Sequence, residues 1–368
     1  MKIAIIYPEN LPSQSARTVT VAKTASTLGK ISEITLICEK TASTIDDISS
    51  YYGIEKSFRL VLLPKKLLLR SNKIFNFFLI RHLRKTRYDA IYVRHLKTAK
   101  MLIKAGFKVV FEAHEIFADS APEEKKTGVA KSEKYVYENC NGIVFISQTL
   151  KEEFLRRYTL PSNITLPLCF SEQIDGADKK EFAKLNEVYY VGSFQPWKGV
   201  DTLIKSAKYI PDNTTIKLVG SGGEEEALKN LVKEIGVEAK IEFLGRLPHA
   251  KVEELLKTKS KICVLPNNKS PFDRFTSPLK LFEYMASFNA IIASDIQSIR
   301  EITNGATLEF EAGNEKDLGE KISYLAANPN IAREFAQNSY MKISELEPKA
   351  RAKKLVNFIK NIDVKKTI

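Results

Sequence analysis

Apolar runs alternate with amphipathic stretches along the first half of the chain. Apolar runs of five or six residues occur at 2–7, 33–38, 58–63, 89–93, 108–113 and 142–146. Several of the segments between them carry apolar residues at helical spacing. Near-continuously apolar strands separated by helices are typical of a parallel sheet that is covered on both faces. The pattern therefore predicts a doubly wound α/β domain over residues 1–170.

The same pattern begins again after a polar stretch. Residues 171–186 carry no strand signal and are predicted to be a linker. Apolar runs, each followed by a turn and a helical pattern, then occur at 188–192, 216–220, 241–245, 261–266 and 290–294. A second doubly wound domain is therefore predicted over 187–345. In such sheets ligands bind beyond the carboxyl ends of the strands, so we expect a site in a cleft between the two domains.

Composition limits the class of protein. A chain of 368 residues favours two domains, and 44% hydrophobic with 27% charged residues is ordinary for a soluble protein. No apolar run approaches the ~18 residues of a spanning helix, and the amino-terminal run is too short for a signal peptide. The four cysteines and four histidines are scattered, which predicts buried free thiols in a reducing cytoplasm and gives a metal site little support. A cytoplasmic protein is expected.

Positive charge is concentrated in one region. The net charge is +13, and residues 51–100 hold 13 Lys and Arg against two acids, a net +11. Within 64–87, basic residues flank apolar ones, namely Ile74, Phe75, Phe78, Leu79 and Leu83. Two interpretations stay open: the apolar face packs in the first domain, or the segment docks peripherally on an anionic membrane. No nucleic-acid module is recognised, so nucleic acid is not an expected partner.

The residues expected to face such a membrane are Lys65, Lys66, Arg81, Arg84 and Lys85.

The stretch TSPLKLFEYMA, residues 276–286, predicts a helix with Ser277 as N-cap and Pro278 at the first helical position. Lys280 and Glu283 then lie on one face. The free amides and partial positive charge of such a helix end suit a phosphate. An ordinary surface helix carrying a Lys–Glu pair is the alternative interpretation.

Lys198 precedes a predicted helix in VGSFQPWKGVDTLI, where its ammonium can reach a diphosphate. A departing nucleoside diphosphate gains negative charge as a glycosidic bond breaks, and lysine and helix amides would stabilise that charge. The Glu283 carboxylate suits two ribose hydroxyls. Gly192, Gly220 and Gly245 end strands and allow close backbone approach. GSGGEEEA lacks the spacing of a dinucleotide fingerprint, so no nicotinamide site is expected.

Four motifs in order, VGSFQPWKGVDTLI, IKLVGSGGEEEALKNLV, IEFLGRLPHAKVEELL and SPLKLFEYMASFNAIIASD, resemble the carboxyl-terminal half of retaining glycosyltransferases of family four. The resemblance covers most of 187–305. YVRH, FEAHE and NGIVFISQTLKEEF in the first half agree more loosely. The resemblance implies a GT-B fold, in which two Rossmann-like domains face a cleft. It also implies that a terminal helix, here in 346–368, returns to the first domain.

The resemblance also implies roles for individual residues. Lys198 would bind the donor diphosphate, Glu283 the ribose, and the amides of Leu279 and Lys280 the distal phosphate. His114 in FEAHE matches the family histidine near the transferred sugar. Further contacts with the nucleotide sugar are expected from Ser193, Gly220, Arg246, Arg274 and Ser277, and sugar contacts from Ser13 and Ser15. Neither a metal nor another cofactor is expected, because lysine and helix dipoles take that place in this fold.

Three positions depart from the family pattern. Phe275 stands where the first acid of the paired motif belongs, with Asp273 two residues away. Ser193 replaces an arginine, and the first loop lacks the common glycine pair. Since the missing acid normally contacts the transferred sugar, the sugar stays open.

The predicted function is a retaining transfer from a nucleotide-diphosphate sugar, UDP-linked by preference. The acceptor would be a saccharide or a lipid-linked saccharide of cell-surface polysaccharide or glycoconjugate. A nucleotide-sugar epimerase on the same fold and a non-catalytic transferase-like subunit are the alternatives.

Overall fold

The computed structural model describes residues 1–13, 15–64, 73–269 and 274–364. The chain divides into two compact units. The first unit comprises Met1–Phe170 and Pro348–Ile368, and the second comprises Ser171–Glu347. Each unit is built around its own parallel sheet.

The sheet of the first unit has the strand order β3-β2-β1-β4-β5-β6-β7, and every neighbouring pair is parallel. The strands are β1 Lys2–Tyr7, β2 Glu33–Glu39, β3 Arg59–Leu63, β4 Ala90–Val93, β5 Val109–Ala113, β6 Gly142–Phe145 and β7 Asn163–Thr165. The six predicted strands are confirmed to within a residue. The order reverses between β1 and β4, so the ligand-binding edge expected of such a sheet lies beyond these two strands.

Helices cover this sheet. They are α1 Ala16–Gly29, α2 Ile45–Tyr52, α3 Lys73–Thr86, α4 Leu96–Lys104, α5 Glu123–Asn139, α6 Gln148–Arg157 and, from the end of the chain, α14 Pro348–Val364. Leu355 and Ile359 of α14 are buried in the same cluster as Ile5 and Val110 of the sheet. The final helix is therefore part of the core of the first unit.

The second sheet repeats this topology in the order β10-β9-β8-β11-β12-β13, again with parallel pairs. Its strands are β8 Glu187–Val191, β9 Thr215–Val219, β10 Ile241–Gly245, β11 Ile262–Leu265, β12 Ala290–Ser294 and β13 Leu308–Phe310. Its helices are α7 Val200–Lys205, α8 Glu225–Glu234, α9 His249–Thr258, α10 Leu279–Ala286, α11 Gln297–Thr303, α12 Glu315–Ala327 and α13 Pro329–Leu346. The order reverses between β8 and β11.

The predicted linker, 171–186, is a packed part of the second unit. Ala177, Phe182 and Leu185 are buried in its core. The buried Lys180 Nζ donates to the carbonyls of Leu256 and Ser260 and to Asn289 Oδ1, each at 2.9 Å. The prediction of a linker was wrong because most residues of the segment are polar, and three isolated apolar residues that pack into the core give no strand or helix signal. The buried ammonium finds backbone and amide oxygens instead of water.

Candidate functional site

In the second unit, Lys198 ends a single 3₁₀ turn, Pro196–Lys198, between β8 and α7. Asn268, in the loop after β11, donates its amide to the carbonyl of Trp197 at 3.1 Å and its Nδ2 to the carbonyl of Pro196 at 3.0 Å. Gly199 has φ 66°, and a Cβ there would lie 1.9 Å from the Pro266 carbonyl oxygen. The lysine turn is thus fixed against the end of β11, where the strand order reverses. Lys198 itself is half-buried.

The ends of β8, β9 and β10 lie side by side in the sheet. The Gly192 amide bonds to the Val219 carbonyl and the Gly220 amide to the Gly245 carbonyl, both at 2.9 Å. A Cβ on Gly220 would lie 1.8 Å from the Gly192 carbonyl oxygen. Close approach of the neighbouring strand end is therefore sufficient to require glycine at 220.

Two predicted polar residues follow these ends. Ser193 and Arg246 are both exposed, directly after Gly192 and Gly245. The Ser193 carbonyl accepts from the Tyr190 hydroxyl at 2.9 Å, which fixes the backbone of the loop.

Helix α10 begins at Leu279, with Pro278 as its N-cap in an extended conformation (ψ 121°). The prediction of Ser277 as N-cap and Pro278 as the first helical residue was therefore wrong by one position. Ser277 is buried one residue before the cap. The amides of Leu279 and Lys280 do open the helix, where backbone N–H groups have no intrahelical acceptor.

Lys280 and Glu283 lie on one face of α10, as predicted, and they form the ion pair that the alternative interpretation expected. Lys280 Nζ lies 2.5 Å from Glu283 Oε2, and their side chains are 30% and 18% exposed. The other side of α10 packs inward through Leu281, Phe282 and Met285. The pair is thus held at the accessible side of a well-anchored helix.

The position of the missing acid is apolar in the structure as well as in the sequence. Phe275 is buried, and the guanidinium of the exposed Arg274 lies 5.0 Å from the centre of its ring. The neighbouring Asp273 lies outside the described residues. Position 275 therefore holds a buried aromatic ring, with the Arg274 guanidinium beside it, where the family pattern has a carboxylate.

Tyr284 joins two parts of the site, and the sequence analysis did not identify it. Its hydroxyl accepts from the Val191 amide at 2.8 Å and lies 3.3 Å from the Val191 carbonyl, which it reaches as donor. The side chain is fully buried. It fills the place of a neighbouring strand at the end of β8, because β11 pairs there only through Val188 and Tyr189. Tyr284 therefore fixes α10, which carries Glu283, to the end of β8, where the loop that carries Lys198 begins.

In the first unit, His114 follows β5 as part of a buried polar network. Its Nε2 lies 2.6 Å from Glu112 Oε1, and its side chain is 11% exposed. Glu112 Oε2 accepts from Arg351 Nη2 of α14 at 2.9 Å and from the Tyr92 hydroxyl. Neither Glu112 nor Arg351 was identified from the sequence as a site residue. The segment FEAHE, which contains Glu112, and the region 346–368, which contains Arg351, were noted only for family resemblance.

The electrostatics of this network keep His114 neutral. Burial, followed by the charge of Arg94, lowers the pKa of His114 to about 4, although Glu112 acts in the opposite direction. Burial alone would raise the pKa of the Glu112 carboxyl, but His114, Arg351 and Arg94 together lower it well below its ordinary value. At neutral pH the arrangement is a neutral imidazole on an ionised carboxylate.

Ser13 and Ser15 organise the loop after β1. Ser15 Oγ is the N-cap of α1 and accepts from the Arg17 amide at 3.2 Å. The Ser13 amide donates to the Tyr52 hydroxyl at 2.8 Å, and its Oγ lies 3.1 Å from Thr18 Oγ1. Both serines thus have structural contacts beside the role expected from the sequence.

Within the basic segment, the residues Lys73–Thr86 form α3. Phe75, Leu79 and Leu83 pack inward, as the interpretation of an apolar face packed in the first domain expected. Phe77 and Phe78 are 62% and 39% exposed and form an edge-to-face pair with centroids 5.4 Å apart. The exposed cations of α3 are Lys73, Arg81, Arg84 and Lys85, whereas Lys65 and Lys66 lie outside the described residues.

Across the described parts of the chain, no helix is both long and apolar enough to span a bilayer, and no cluster of His, Cys, Asp or Glu could hold a metal ion. None of the four cysteines forms a disulfide, and all four are buried, as predicted.

Comparison with protein families identifies both halves of the chain. Residues 172–342 match the family model described as glycosyl transferases group 1, and residues 20–166 match the model of glycosyltransferase family 4. An uncharacterized glycosyltransferase of Methanocaldococcus jannaschii is 27% identical over 214 residues, which cover 56% of this chain and 55% of the relative. The chain spans about half the length of the curated relatives it matches.

Several solved structures superpose on nearly the whole of this chain. Sucrose-phosphate synthase from Thermosynechococcus elongatus has a TM-score of 0.77 at 19% identity, covering 99% of both chains. Anabaena Alr3699/HepE, solved with UDP and also with UDP-glucose, has a TM-score of 0.78 at 13% identity in the UDP complex, covering 98% of this chain and 100% of that one. These likenesses and the two strand orders confirm the predicted GT-B fold class. By its fold and both family matches, the chain belongs to the group 1 glycosyltransferases.

Proposed function

We propose that this protein is a retaining glycosyltransferase that uses a UDP-sugar. Its acceptor is a saccharide or lipid-linked saccharide in the synthesis of cell-surface polysaccharide or glycoconjugate. The observation that carries the proposal is the assembly at the strand reversal of the second unit. There the Lys198 turn is fixed to the end of β11, and Tyr284 links the start of that loop to α10. Complexes of Alr3699/HepE with UDP and UDP-glucose support the choice of nucleotide.

Each group of this assembly has a chemical task in the proposed reaction. Lys198 and the amides of Leu279 and Lys280 stabilise the diphosphate as the sugar leaves, because its negative charge grows in the transition state. Glu283 accepts hydrogen bonds from the ribose hydroxyls. Ser193, Gly220 and Arg246 line the strand ends around the nucleotide, together with Arg274 and Ser277. In this proposal the leaving group needs no metal ion or other cofactor.

In the proposal, the anomeric configuration is retained because the acceptor hydroxyl attacks the sugar on the same face that the diphosphate leaves. The departing phosphate takes the acceptor proton, so the reaction uses no glycosidase-type pair of carboxylates. His114 then binds a sugar hydroxyl instead of transferring a proton, which suits an imidazole that stays neutral at physiological pH.

Two other functions remain distinguishable by experiment. An epimerase on this fold would interconvert donor sugars without an acceptor. A non-catalytic subunit would bind nucleotide without turnover, and the burial of Phe275 at the position of the family acid is the observation that favours it.

The proposal is tested by calorimetric titration with UDP, GDP, ADP and CMP, with EDTA and with MgCl₂. We expect UDP to bind, independently of Mg²⁺. Lys198→Ala and Glu283→Ala should each weaken binding at least about tenfold, as expected when a contact to charge or to a paired polar group is lost. Lys208→Ala and Glu253→Ala are matched controls, because both residues are exposed elsewhere in the same unit.

Absence of binding by all four nucleotides would refute the donor site. UDP binding without any turnover across a panel of donors and acceptors would favour the subunit. Release of UDP only in the presence of acceptor, with the anomeric configuration retained in the product, would support the transferase.

We further propose that α3 holds the protein on the anionic inner face of the cell membrane, near lipid-linked acceptors. The exposed Phe77–Phe78 pair lies on a helix that carries four Lys and Arg and no acid among Lys73–Thr86. Exposed aromatic rings beside cations suit the boundary of anionic lipid headgroups and acyl chains.

Flotation with vesicles of equal parts phosphatidylglycerol and phosphatidylcholine tests this docking. Phe77→Ser/Phe78→Ser and Arg81→Ser/Arg84→Ser/Lys85→Ser should each reduce binding. The control removes Lys353, Lys354 and Lys360, three exposed cations of α14. Equal flotation of the α3 and α14 variants would contradict docking through α3.

A further inference from the structure

We propose that Arg351, on the carboxyl-terminal helix, is a positioning residue for His114. Acting through Glu112, it fixes the imidazole as the neutral Nε2–H tautomer, so that Nδ1 is a hydrogen-bond acceptor. This inference deepens the function proposed above and rests on it only for the identity of the ligand, a sugar hydroxyl.

The contacts of Arg351 hold it firmly against Glu112. Its side chain is 5% exposed, and Nη2 donates to Glu112 Oε2 at 2.9 Å. Nε donates to the carbonyl of Pro167 at 2.9 Å, and the guanidinium lies 5.6 Å from the centre of the Phe170 ring. Arg351 thus joins α14 to the end of the segment Met1–Phe170, where the chain leaves the first unit.

Glu112 transmits this constraint to the imidazole. One carboxylate oxygen accepts from Arg351 and from the Tyr92 hydroxyl, which leaves the other for His114 Nε2 at 2.6 Å. An ionised carboxylate only accepts hydrogen bonds, so Nε2 must carry the proton. In a neutral imidazole Nδ1 then holds a free lone pair, and its natural partner is a hydroxyl donor.

Burial first, and then the charges of several elements, keep the imidazole neutral. Glu112 on β5 favours the imidazolium, whereas Arg94 after β4 and Arg351 on α14 disfavour it. Tyr92 on β4 keeps its proton, since burial raises its pKa well above the ordinary value. Two cations therefore oppose one carboxylate around a side chain that is largely removed from water. Loss of the Arg351 charge would leave Glu112 freer to stabilise the imidazolium.

The test is long-range proton–nitrogen NMR of the histidine rings in the full chain, across a pH titration. The chain has only four histidines, and His114→Asn identifies the His114 signals. We expect the Nε2–H tautomer in the parent protein, with protonation only near the acid end of the titration. Arg351→Met should move the His114 midpoint upward, and Arg351→Lys, which keeps the charge, should stay near the parent value.

Glu112→Gln supplies an opposite shift. Without the carboxylate the midpoint should move downward, and the Nδ1–H tautomer should appear. Lys354→Met is the matched control, because it removes an exposed positive charge from the same helix and should leave the midpoint unchanged. The inference is overturned if the parent ring is the Nδ1–H tautomer, or if Arg351→Met and Lys354→Met give the same midpoint.

If Arg351→Met does not fold, Glu112→Gln decides: an unchanged tautomer there would equally overturn the inference. Activity provides a separate readout. We expect Arg351→Met to lower kcat/KM about tenfold through misplacement of His114 while the Kd for UDP is unchanged. The NMR shifts need no substrate, so shifted midpoints in a protein that binds no UDP would support the positioning role and refute the proposed function alone.

Discussion

The two units share a strand order but treat charge in opposite ways near the ends of their strands. The first unit buries it: Glu112 and Arg351 are buried beside His114, and Arg94 near them is half-buried. The second unit leaves Lys280 and Glu283 at an accessible helix surface. Buried charge is costly when one partner is lost, whereas accessible pairs contribute little to stability. We therefore expect stability and ligand binding to respond to different residues in the two units.

The largest effect on stability is expected at Glu112. Glu112→Ala leaves the buried guanidinium of Arg351 without its carboxylate, and removal of one partner of a buried pair costs about 3–5 kcal/mol. Urea unfolding followed by circular dichroism measures the loss in free energy of unfolding. Glu115→Ala is the control, since that side chain is 35% exposed. Equal losses in the two variants would remove the contrast between buried and accessible charge.

The next largest effect on stability is its dependence on pH, which arises from Glu133. This buried carboxyl on α5 accepts from the Phe117 amide at 2.8 Å and the Tyr158 hydroxyl at 3.2 Å, and burial raises its pKa to about 7 from 4.5. The folded state holds the proton more tightly than the unfolded state. The resulting stabilisation is complete below about pH 4.5 and is lost as pH rises through about 7, by about 3 kcal/mol.

Glu133→Gln should remove this dependence of stability on pH, because the carboxamide does not titrate. Its oxygen can still accept the hydrogen bond from the Phe117 amide. Urea midpoints from pH 5 to pH 8 should therefore fall more steeply in the parent protein than in this variant. Glu138→Gln, exposed on the same helix, should follow the parent. Parallel profiles for the parent and Glu133→Gln would show that the carboxyl titrates normally.

A smaller effect is expected where the second unit does bury a polar group. Tyr284→Phe removes the hydroxyl from the Val191 amide and carbonyl, and unsatisfied buried groups cost about 1–3 kcal/mol. Because this contact joins α10 to the Lys198 loop, UDP affinity should fall as well. Tyr340→Phe loses a hydroxyl bond to the Ile174 carbonyl away from the strand ends. It should lose stability without losing UDP affinity, and equal affinity losses would exclude a specific role for Tyr284.

The fold was largely predictable because buried parallel strands appear in the sequence as continuous apolar runs. β7 and β13 were missed, since three residues such as Asn163–Thr165 make no such run. The start of α10 was misplaced because Ser-Pro is a good start signal in either register, and packing of Phe282 and Met285 sets the register. On α3, sequence periodicity alone did not decide which phenylalanines face the core: Phe75 is buried, whereas Phe77 and Phe78 are exposed.

The candidate site was predictable where neighbours in sequence carry it. Lys198, Lys280 and Glu283 lie in short motifs. The Arg351–Glu112 contact joins residues 239 positions apart, so no local pattern could reveal it. In the sequence, Tyr284 looks like one more apolar position of α10. Its hydroxyl bonds to the backbone of Val191, and only the folded structure brings these two residues together.

The smallest effect on stability is expected at Glu283, the counterpart of Glu112 in the second unit. Glu283→Gln keeps the shape of the side chain and loses only a partly exposed ion pair with Lys280, so the free energy of unfolding should change by no more than about 0.5–1 kcal/mol. UDP binding should nevertheless weaken at least about tenfold, because a carboxamide offers one acceptor oxygen to two ribose hydroxyls. Urea unfolding and calorimetry on the same samples measure both quantities. A large loss of stability with unchanged UDP affinity would place Glu283 with the structural charges of the first unit and reverse the contrast.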